Sequence, residues 1–364
     1  MRIILYLLIA LLFNLPILAQ GFSTVQDNNG GGTIGSTVLS QYNKYVPLIT
    51  SRLLTVKSTN FPRPYTGAVD QVAANIFTSL YSNSSSGSNY FGNDWYIRSD
   101  DKYVPFDNGS RVLFVNNGAN EVRVKPFSNF PSTWADAWDE FDTIYDNNAN
   151  GHIGPSSGGG WNISSDDVYI PGDFDGDGDD EILAVRPGNN WAMLLEYNGS
   201  SGFTVKWSNS GNDYIGPGGS SGWNMGSGDR YISGEFIVDS NGKEQLMAVG
   251  GSWAMLLTFN TSTNKWDVDW GNSGYDYIGS WNITSSDEFY SGTFAGDSRA
   301  TLMAIKLSSW AMKLIYTTGS GWISQWSNSG NGYIGSGGTN GWNMSSNDNF
   351  FVRNWCGGTG NDGD

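Results

Sequence analysis

The chain has 364 residues, of which only 15% are charged, and it contains 49 Gly, 16 Trp and 18 Tyr. This composition indicates many short strands joined by tight turns. The net charge of -16 excludes nucleic acids and anionic membrane surfaces as partners, because both would be repelled, and it leaves cations as expected ligands.

Residues 1–19 have the pattern of a secretory signal peptide. Arg2 precedes the apolar run Ile3–Leu12, and cleavage is expected after Ala19. No later run is apolar for about 18 residues, so we expect a secreted, extracellular or cell-surface protein without membrane insertion. The single cysteine, Cys356, cannot form an internal disulfide, and we interpret it as a half-buried residue near the tail rather than a reactive thiol.

Two segments precede the repetitive part of the chain. Residues 20–36 are predicted to be a flexible leader. Residues 37–80 form an N-terminal segment with short strands expected at Val46–Ile49 and Leu53–Val56. In its last part, apolar residues recur with the spacing of an amphipathic helix, which predicts a short helix over residues 69–80. The residues that carry this pattern are Val69, Val72, Ala73, Ile76, Phe77 and Leu80.

Three unlike phrases then recur in one order, about 60 residues apart, and so define a repeat that begins near residue 81. A Trp-Asn phrase begins at Trp161, Trp223, Trp281 and Trp342. A Trp-Ala-Met phrase begins at Trp191, Trp253 and Trp310. An Asn-Ser-Gly…Tyr-Ile-Gly phrase begins at Trp207, Trp270 and Trp326.

Each repeat contains four short apolar segments separated by Gly- and Asn-rich turns. In the clearest copy these are Asp167–Ile170, Glu181–Val185, Trp191–Tyr197 and Phe203–Trp207. Four strands per repeat predict an all-β fold, a β-propeller of four-stranded antiparallel blades.

We expect about five blades. The predicted complete blades are residues 81–137, 138–206, 207–269 and 270–325. A shared closing blade would combine the strand after Trp342 with strands from the N-terminal segment, so that the repeats span 81–355 and a flexible tail spans 356–364. An unclosed array is the alternative.

One loop is strongly acidic. Asp173, Asp175 and Asp177 alternate along the chain, Gly178 permits a sharp turn, and Glu181 returns another carboxylate. Such an oxygen-only set suits Ca²⁺ before Mg²⁺, with Asp179 expected to contribute its backbone carbonyl. The corresponding loops of the other copies have lost this pattern, so one Ca²⁺ per chain is predicted, and its expected role is to hold a blade turn. The alternative is a solvated acidic turn.

The stretch Gly172–Val185 resembles the FG-GAP or VCBS repeat of integrin-α-like propellers. The alternation of Gly-Trp phrases, acidic loops and Asn-Gly turns over residues 81–355 is similar to propeller lectins of the Psathyrella velutina type. This resemblance implies a propeller fold and a ligand on a cell surface.

No catalytic set stands out. His152 occupies a position that is Tyr in other copies, and Asp166/Asp167 recurs as Asp100/Asp101 and Asp287/Glu288, which indicates a structural turn. We therefore expect no enzyme, but a secreted calcium-binding propeller that binds glycans or another cell-surface or extracellular ligand, like a lectin or adhesin. The alternative is a structural or protein–protein adhesion scaffold without a sugar site.

The ligand-binding candidates lie in the phrase that joins one blade to the next, where aromatic faces could meet a sugar. They are Tyr214, Trp223, Tyr277 and Trp281. The alternative for Trp223 and Trp281 is a packing anchor. Trp191, Trp253 and Trp310 are predicted to lie in the blade core.

Overall fold

The computed structural model describes residues 100–107, 110–126, 143–155, 159–217, 221–237, 242–293, 299–307, 309–335 and 341–345, together with Trp95, Arg98 and the backbone of short strands between residues 33 and 96. The part of the chain so described is all-β, as predicted, and holds five four-stranded antiparallel sheets but no α-helix. Among these residues no helix has the length and apolar character that a membrane span requires.

The N-terminal part contains one four-stranded sheet, which we call the first blade, flanked by short paired strands. Its strands run up and down in the order β3-β4-β5-β6, while β1 pairs with β2 and β7 with β8. The strands are β1 (Thr33–Ile34), β2 (Thr37–Val38), β3 (Asn43–Leu48), β4 (Arg52–Lys57), β5 (Tyr65–Ala73), β6 (Ile76–Ser82), β7 (Tyr90–Phe91) and β8 (Trp95–Tyr96).

Four further sheets, the second to fifth blades, follow the same up-and-down order. The second blade comprises β9 (Lys102–Phe106), β10 (Arg111–Asn116), β11 (Glu121–Pro126) and β12 (Tyr145–Asp146). After β13 (His152–Ile153) and β14 (Trp161–Asn162), the third blade comprises β15 (Val168–Gly172), β16 (Glu181–Arg186), β17 (Trp191–Tyr197) and β18 (Phe203–Ser208). These bounds confirm the four strands predicted in this copy.

The last two blades repeat the arrangement. After β19 (Tyr214–Ile215) and β20 (Trp223–Asn224), the fourth blade comprises β21 (Arg230–Gly234), β22 (Gln245–Gly250), β23 (Trp253–Asn260) and β24 (Lys265–Gly271). After β25 (Tyr277–Ile278) and β26 (Trp281–Asn282), the fifth comprises β27 (Asp287–Gly292), β28 (Thr301–Lys306), β29 (Trp310–Thr317) and β30 (Gly321–Ser327), and β31 (Tyr333–Gly335) pairs with β32 (Gly341–Asn343).

The helix predicted over residues 69–80 is wrong, because this segment forms the hairpin of β5 and β6. The pairing register of these strands shifts between Ala68 and Val69 and again between Gln71 and Ala73. Each β-bulge inserts an extra residue and interrupts the alternation of two. The apolar residues then fall three and four apart along bulged strands, which imitates the spacing of a helix.

The first blade draws all four of its strands from residues 43–82, so these strands do not complete a sheet begun near Trp342 as the shared closing blade required. The predicted boundary between residues 137 and 138 also falls inside the second blade, because its fourth strand is Tyr145–Asp146. Within the expected leader, Thr33–Ile34 forms β1, and the rest of the leader, the expected signal peptide and tail, and Cys356 lie outside the described residues.

The joints that follow the second, third, fourth and fifth blades are built in the same way. The Tyr-Ile end of one phrase pairs antiparallel with the following Trp-Asn, as in the pairing of Ile215 with Trp223. A buried asparagine fixes the turn before this pair: the Asn209 amide oxygen accepts from the amides of Ala192 at 3.1 Å and Gly211 at 3.1 Å. The corresponding residues are Asn147, Asn272 and Asn328, which make the same two kinds of bond.

The tryptophan of each joint is tied to an aspartate six residues later. The indole Nε1 donates to the carboxylate at 2.8 Å in four copies, which are Trp95 to Asp101, Trp161 to Asp167, Trp223 to Asp229 and Trp281 to Asp287. A backbone amide three residues before the aspartate donates to the same oxygen, at 2.7–2.9 Å. These hydrogen bonds explain why an acidic residue recurs in the turn before the first strand of a blade, as the repetition predicted.

The blades stack face to face, with their first strands adjacent from β3 through β9, β15 and β21 to β27. Separate apolar clusters fill the spaces between the second and third, third and fourth, and fourth and fifth blades. Phe174 meets the Trp266 ring of the next blade edge to face at 5.3 Å, and Phe236 meets Trp322 at 5.3 Å in the same way. Since each blade buries its faces only against its neighbours, stability depends on the stack.

We expect Asp167→Ala to lower the free energy of unfolding by about 3 kcal/mol or more, because it strands buried partners of the carboxylate. Trp161 Nε1, Tyr169 Oη and Arg186 Nε donate to this carboxylate at 2.8, 3.0 and 2.7 Å. Asp166→Ala, at the exposed neighbouring position, should stay within about 0.5 kcal/mol of the parent. Chemical denaturation measures both, and equal losses would contradict the proposed importance of the Asp167 network.

Candidate functional site

The loop between β15 and β16 brings three of the predicted metal ligands together. One carboxylate oxygen each from Asp173, Asp175 and Asp177 lies within 4.8 Å of the other two. The Asp175 side chain is largely buried, whereas the side chain of Asp177 is half exposed. The cluster therefore presents a concave set of oxygens that opens to solvent on one side.

Backbone amides hold the loop in this curve. Gly176 and Gly178 donate to the two oxygens of Asp173 at 2.7 and 3.1 Å, and the amide of Asp177 donates to Asp175 Oδ1 at 3.1 Å. Gly178 has a φ of +100°, which an L side chain rarely adopts, so glycine is required at the turn. The alternation of aspartates with glycines thus fixes the carboxylates on the inner side.

Glu181, predicted as a further ligand, is directed instead at the loop backbone. Its Oε2 accepts from the amides of Phe174 at 3.0 Å and Asp175 at 3.2 Å, and its side chain is almost fully buried. Gln245 holds the same register position in the fourth blade and accepts from the Ile237 amide at 2.7 Å. This position therefore caps the loop from strand two, whether or not the loop is acidic.

Asp179 is exposed, and its amide donates to Asp177 Oδ1 at 3.0 Å. Its side chain lines a polar cavity of about 370 Å³ beside the loop, together with Arg111, Glu196 and Tyr197. The expected contribution of its backbone carbonyl to a metal stays a prediction.

A lysine that the sequence reasoning missed lies against the acidic cluster. Lys206 pairs with Asp175, and its Nζ lies 3.1 Å from Glu196, 3.9 Å from Glu181 and 4.0 Å from Asp177. Although burial opposes it, hydrogen bonding to Asp175 and Glu196 raises the pKa of Lys206 well above its usual range. A comparison of the copies could have drawn attention to it, because this residue precedes the Trp of the fourth strand.

The loop is also fastened to the blades on both sides. The amide of Asp180 donates to Asp107 of the second blade at 2.8 Å, and the amide of Glu244 in the fourth blade donates to the Asp173 carbonyl at 2.8 Å. The loop therefore joins three blades, and a change in its conformation would alter its hydrogen bonds to both neighbouring blades.

Many acidic groups are crowded here. Burial and the neighbouring Asp175 raise the pKa of Glu181 to about 8, and burial with Asp180 and Asp173 raises the pKa of Glu244 to about 8. Burial also raises the pKa of Asp173. Each shift has the same origin, which is that negative charge is costly in this partly enclosed place.

The predicted ligand-binding residues of the joints do not form one site. Trp223 and Trp281 are buried, and their indoles are engaged by Asp229 and Asp287. Tyr214 is half-buried and Tyr277 is exposed, and each pairs with the asparagine of its own joint. Their burial supports the alternative that the two tryptophans are packing anchors, and ligand binding at the joints stays a prediction.

The placement predicted for Trp191, Trp253 and Trp310 is also wrong, since their exposed fractions are 44%, 51% and 43%. Each begins the third strand of its blade, where the run of buried residues starts only one position later. The rings of Trp191 and Trp253 lie over the glycine turn of the following joint, so that a Cβ at Gly211 would be 3.4 Å from the Trp191 ring. An apolar run in the sequence does not show that its first residue is exposed, because that exposure depends on what packs beyond the end of the strand.

His152 lies in β13 and pairs with Asn162, as Tyr214 pairs with Asn224 in the next joint. Its Nδ1 lies 2.8 Å from the carbonyl oxygen of Asn150. The equivalence with tyrosine that the sequence indicated is therefore confirmed.

No family model matches the chain, and no curated protein matches it. Among solved structures, it is similar to a periplasmic gluconolactonase of Pseudomonas aeruginosa, with a TM-score of 0.39, 10% identity and coverage of 81% of this chain and 69% of that one. It is also similar to a protein provisionally assigned as a 6-phosphogluconolactonase from Bacteroides fragilis, with a TM-score of 0.36, 10% identity and coverage of 81% and 71%. A Lactobacillus plantarum protein has a TM-score of 0.39, 8% identity and coverage of 78% and 69%.

These neighbours correct two expectations. The sequence predicted a non-enzymatic protein of the lectin or adhesin kind, with an adhesion scaffold as the alternative, whereas the neighbours that carry a functional name are named as lactonases, which are enzymes. Neither the expected function nor the exclusion of an enzyme is retained. At such low identities and TM-scores, the likeness carries no argument about the activity of this chain.

We expect Trp223→Ala to destabilise the protein by about 3–5 kcal/mol, because it opens a cavity and removes the donor to Asp229. Trp253→Ala, at a half-exposed position, should cost about 1 kcal/mol. Thermal and chemical unfolding of the two variants compares a packing anchor with a surface residue of the same type. Similar losses for both would contradict the assignment of Trp223 as an anchor.

Proposed function

We propose that the chain is a calcium-binding propeller in which Asp173, Asp175 and Asp177 hold one Ca²⁺. The observation that carries the proposal is the convergence of their carboxylate oxygens within 4.8 Å. Ca²⁺ binds oxygen ligands at about 2.3–2.6 Å, so ligands on opposite sides of the ion lie at most about 5 Å apart. The three carboxylates therefore fit around one such ion without a large rearrangement.

The chemistry of the loop favours Ca²⁺ over a transition metal. The donors are carboxylate oxygens, and no imidazole or thiol belongs to the cluster. The half-exposed Asp177 leaves room for water ligands on the open side, which suits the flexible coordination of Ca²⁺.

The proposed role of the ion is to stabilise the stack of blades. Burial, and to a smaller extent repulsion between the crowded carboxylates, raises the pKa of Asp173 and of Glu181. A divalent cation offsets that repulsion and so stabilises the loop. Because the loop is hydrogen-bonded to Asp107 and Glu244, the ion also stabilises the contacts with the second and fourth blades. The secretion expected from residues 1–19 would expose the site to extracellular calcium.

We expect millimolar Ca²⁺ to raise the melting temperature of the full chain relative to EDTA, because an ion that binds only the folded state stabilises it. The double variant Asp175→Asn with Asp177→Asn should lose most of this calcium-dependent rise. Differential scanning calorimetry in calcium and in EDTA measures the effect.

Asp179→Asn is the matched control, since it removes one charge from the same loop without removing a clustered carboxylate. It should keep most of the response to Ca²⁺. A double variant that responds to Ca²⁺ as fully as the parent would refute the site, and an equal loss in the control would assign the effect to overall charge.

A further inference from the structure

The ammonium of Lys206 occupies the place beside the carboxylates to which a cation would come. It pairs with Asp175 and lies within 4.0 Å of carboxylate oxygens of Asp177 and Glu181. On its other side, Nζ is 3.1 Å from Glu196 of β17, which is not a member of the acidic cluster. The lysine therefore has two carboxylate partners, one inside the proposed calcium site and one outside it.

A β-bulge in the fourth strand places the lysine there. The pairing register of β17 with β18 shifts between Leu194 and Leu195, which leaves Lys206 opposite no residue. The same shift recurs in the next two blades, where the residue at the bulge is Asp269 or Gln325. The bulge thus belongs to the repeat, whereas the cation at the bulge belongs to the blade with the acidic loop.

The loops of these other blades match this difference. Described carboxylates cluster in threes only in the loop of the third blade. The fourth blade has Asp269 at its bulge, where the hydroxyl of Thr258 donates to the carboxylate at 2.6 Å, and its loop capping residue is the uncharged Gln245. Among the described residues, the basic residue at the bulge and the cluster of three carboxylates therefore occur in the same blade.

We infer that Lys206 competes with Ca²⁺ for the acidic loop, and that when the ion binds the ammonium gives up Asp175 and stays paired with Glu196 alone, an exchange that we call the transfer. This inference rests on the calcium site proposed above and concerns its regulation. Without the ion, the ammonium neutralises part of the charge and keeps the loop folded. When Ca²⁺ enters, the pair with Asp175 is given up, and Glu196 retains the ammonium close by, so that the exchange moves one side chain and leaves the strands in place.

Lys206→Met tests the competition, because it keeps much of the length of the side chain and removes the charge. In calorimetric titration of the full chain with CaCl₂, we expect this variant to bind about tenfold more tightly than the parent, since a positive charge about 4 Å from the ligands opposes a divalent ion. Without calcium, the variant should melt at a lower temperature than the parent. Lys206→Arg keeps the charge and should show no such gain in affinity.

Gln325→Met is the matched control for a change at this bulge. It alters the same position of the repeat two blades away and should leave the calcium affinity unchanged. Circular dichroism of each variant shows whether the fold is retained. Should Lys206→Met prove unfolded without calcium, Lys206→Gln serves in its place with the same expectation.

Glu196 tests the transfer. We expect Glu196→Gln to weaken calcium binding about threefold or more in the parent, because the displaced ammonium loses its second partner. In the Lys206→Met background the same change should have a much smaller effect, since only the direct attraction of Glu196 for the ion remains. Such non-additivity is the measure of coupling between two residues.

The outcomes separate the two proposals. Tighter binding by Lys206→Met supports the competition, even if the parent binds too weakly to detect. Calcium binding by the parent with equal or weaker binding by Lys206→Met overturns the competition and leaves the calcium site standing. Absence of binding by both at up to about 10 mM calcium, beyond the range of weak extracellular sites, overturns the calcium site itself and the competition with it. Equal effects of Glu196→Gln in both backgrounds overturn the transfer.

Discussion

A hydrogen bond from a tryptophan indole to an aspartate six residues later holds every described joint of the second to fifth blades. The bond has the same length in all four copies, 2.8 Å, and the aspartate also accepts from a backbone amide that turns the chain into the first strand. Because the tryptophan is buried between blades, it fixes the joint to the stack and the first strand to the joint. An unpaired carboxylate in such a place would be costly, so the partners are needed together.

Although the hydrogen bond between tryptophan and aspartate recurs, the blades differ in the residue that faces the aspartate carboxylate. Arg186 pairs with Asp167 at 2.7 Å, and Lys306 lies 3.8 Å from Asp287. In the fourth blade the matching position is Gly250, where an added Cβ would lie 1.9 Å from Asp229. Without a cation opposite, burial raises the pKa of Asp229. The geometry of the joint is therefore the same in these blades, whereas the residue that faces the aspartate is a cation in two of them and a glycine in the third.

The acidic loop is a local addition to the same frame. In the third and fourth blades strand one ends and strand two begins at equivalent positions, and a capping residue at the start of strand two, Glu181 or Gln245, holds the loop backbone in either case. What distinguishes the third blade is the aspartates inside the loop and the lysine on the neighbouring strand. The loop is hydrogen-bonded to the second and fourth blades, so a gain or loss of the site would be transmitted to those two neighbours.

The sequence by itself determined the strands of the third blade, their turns and the three aspartates that meet, because period, turn residues and alternating carboxylates are local properties of the chain. It misled over residues 69–80, where β-bulges imitate helical spacing, and over Trp191, whose exposure depends on what lies beyond the end of its strand. Only the tertiary structure decided that Trp223 is an anchor and that Lys206 reaches Asp175. The burial of Trp223 among residues of the third and fourth blades and the contact of Lys206 with Asp175 both involve residues far apart in the chain, so packing sets them and no local sequence pattern shows them.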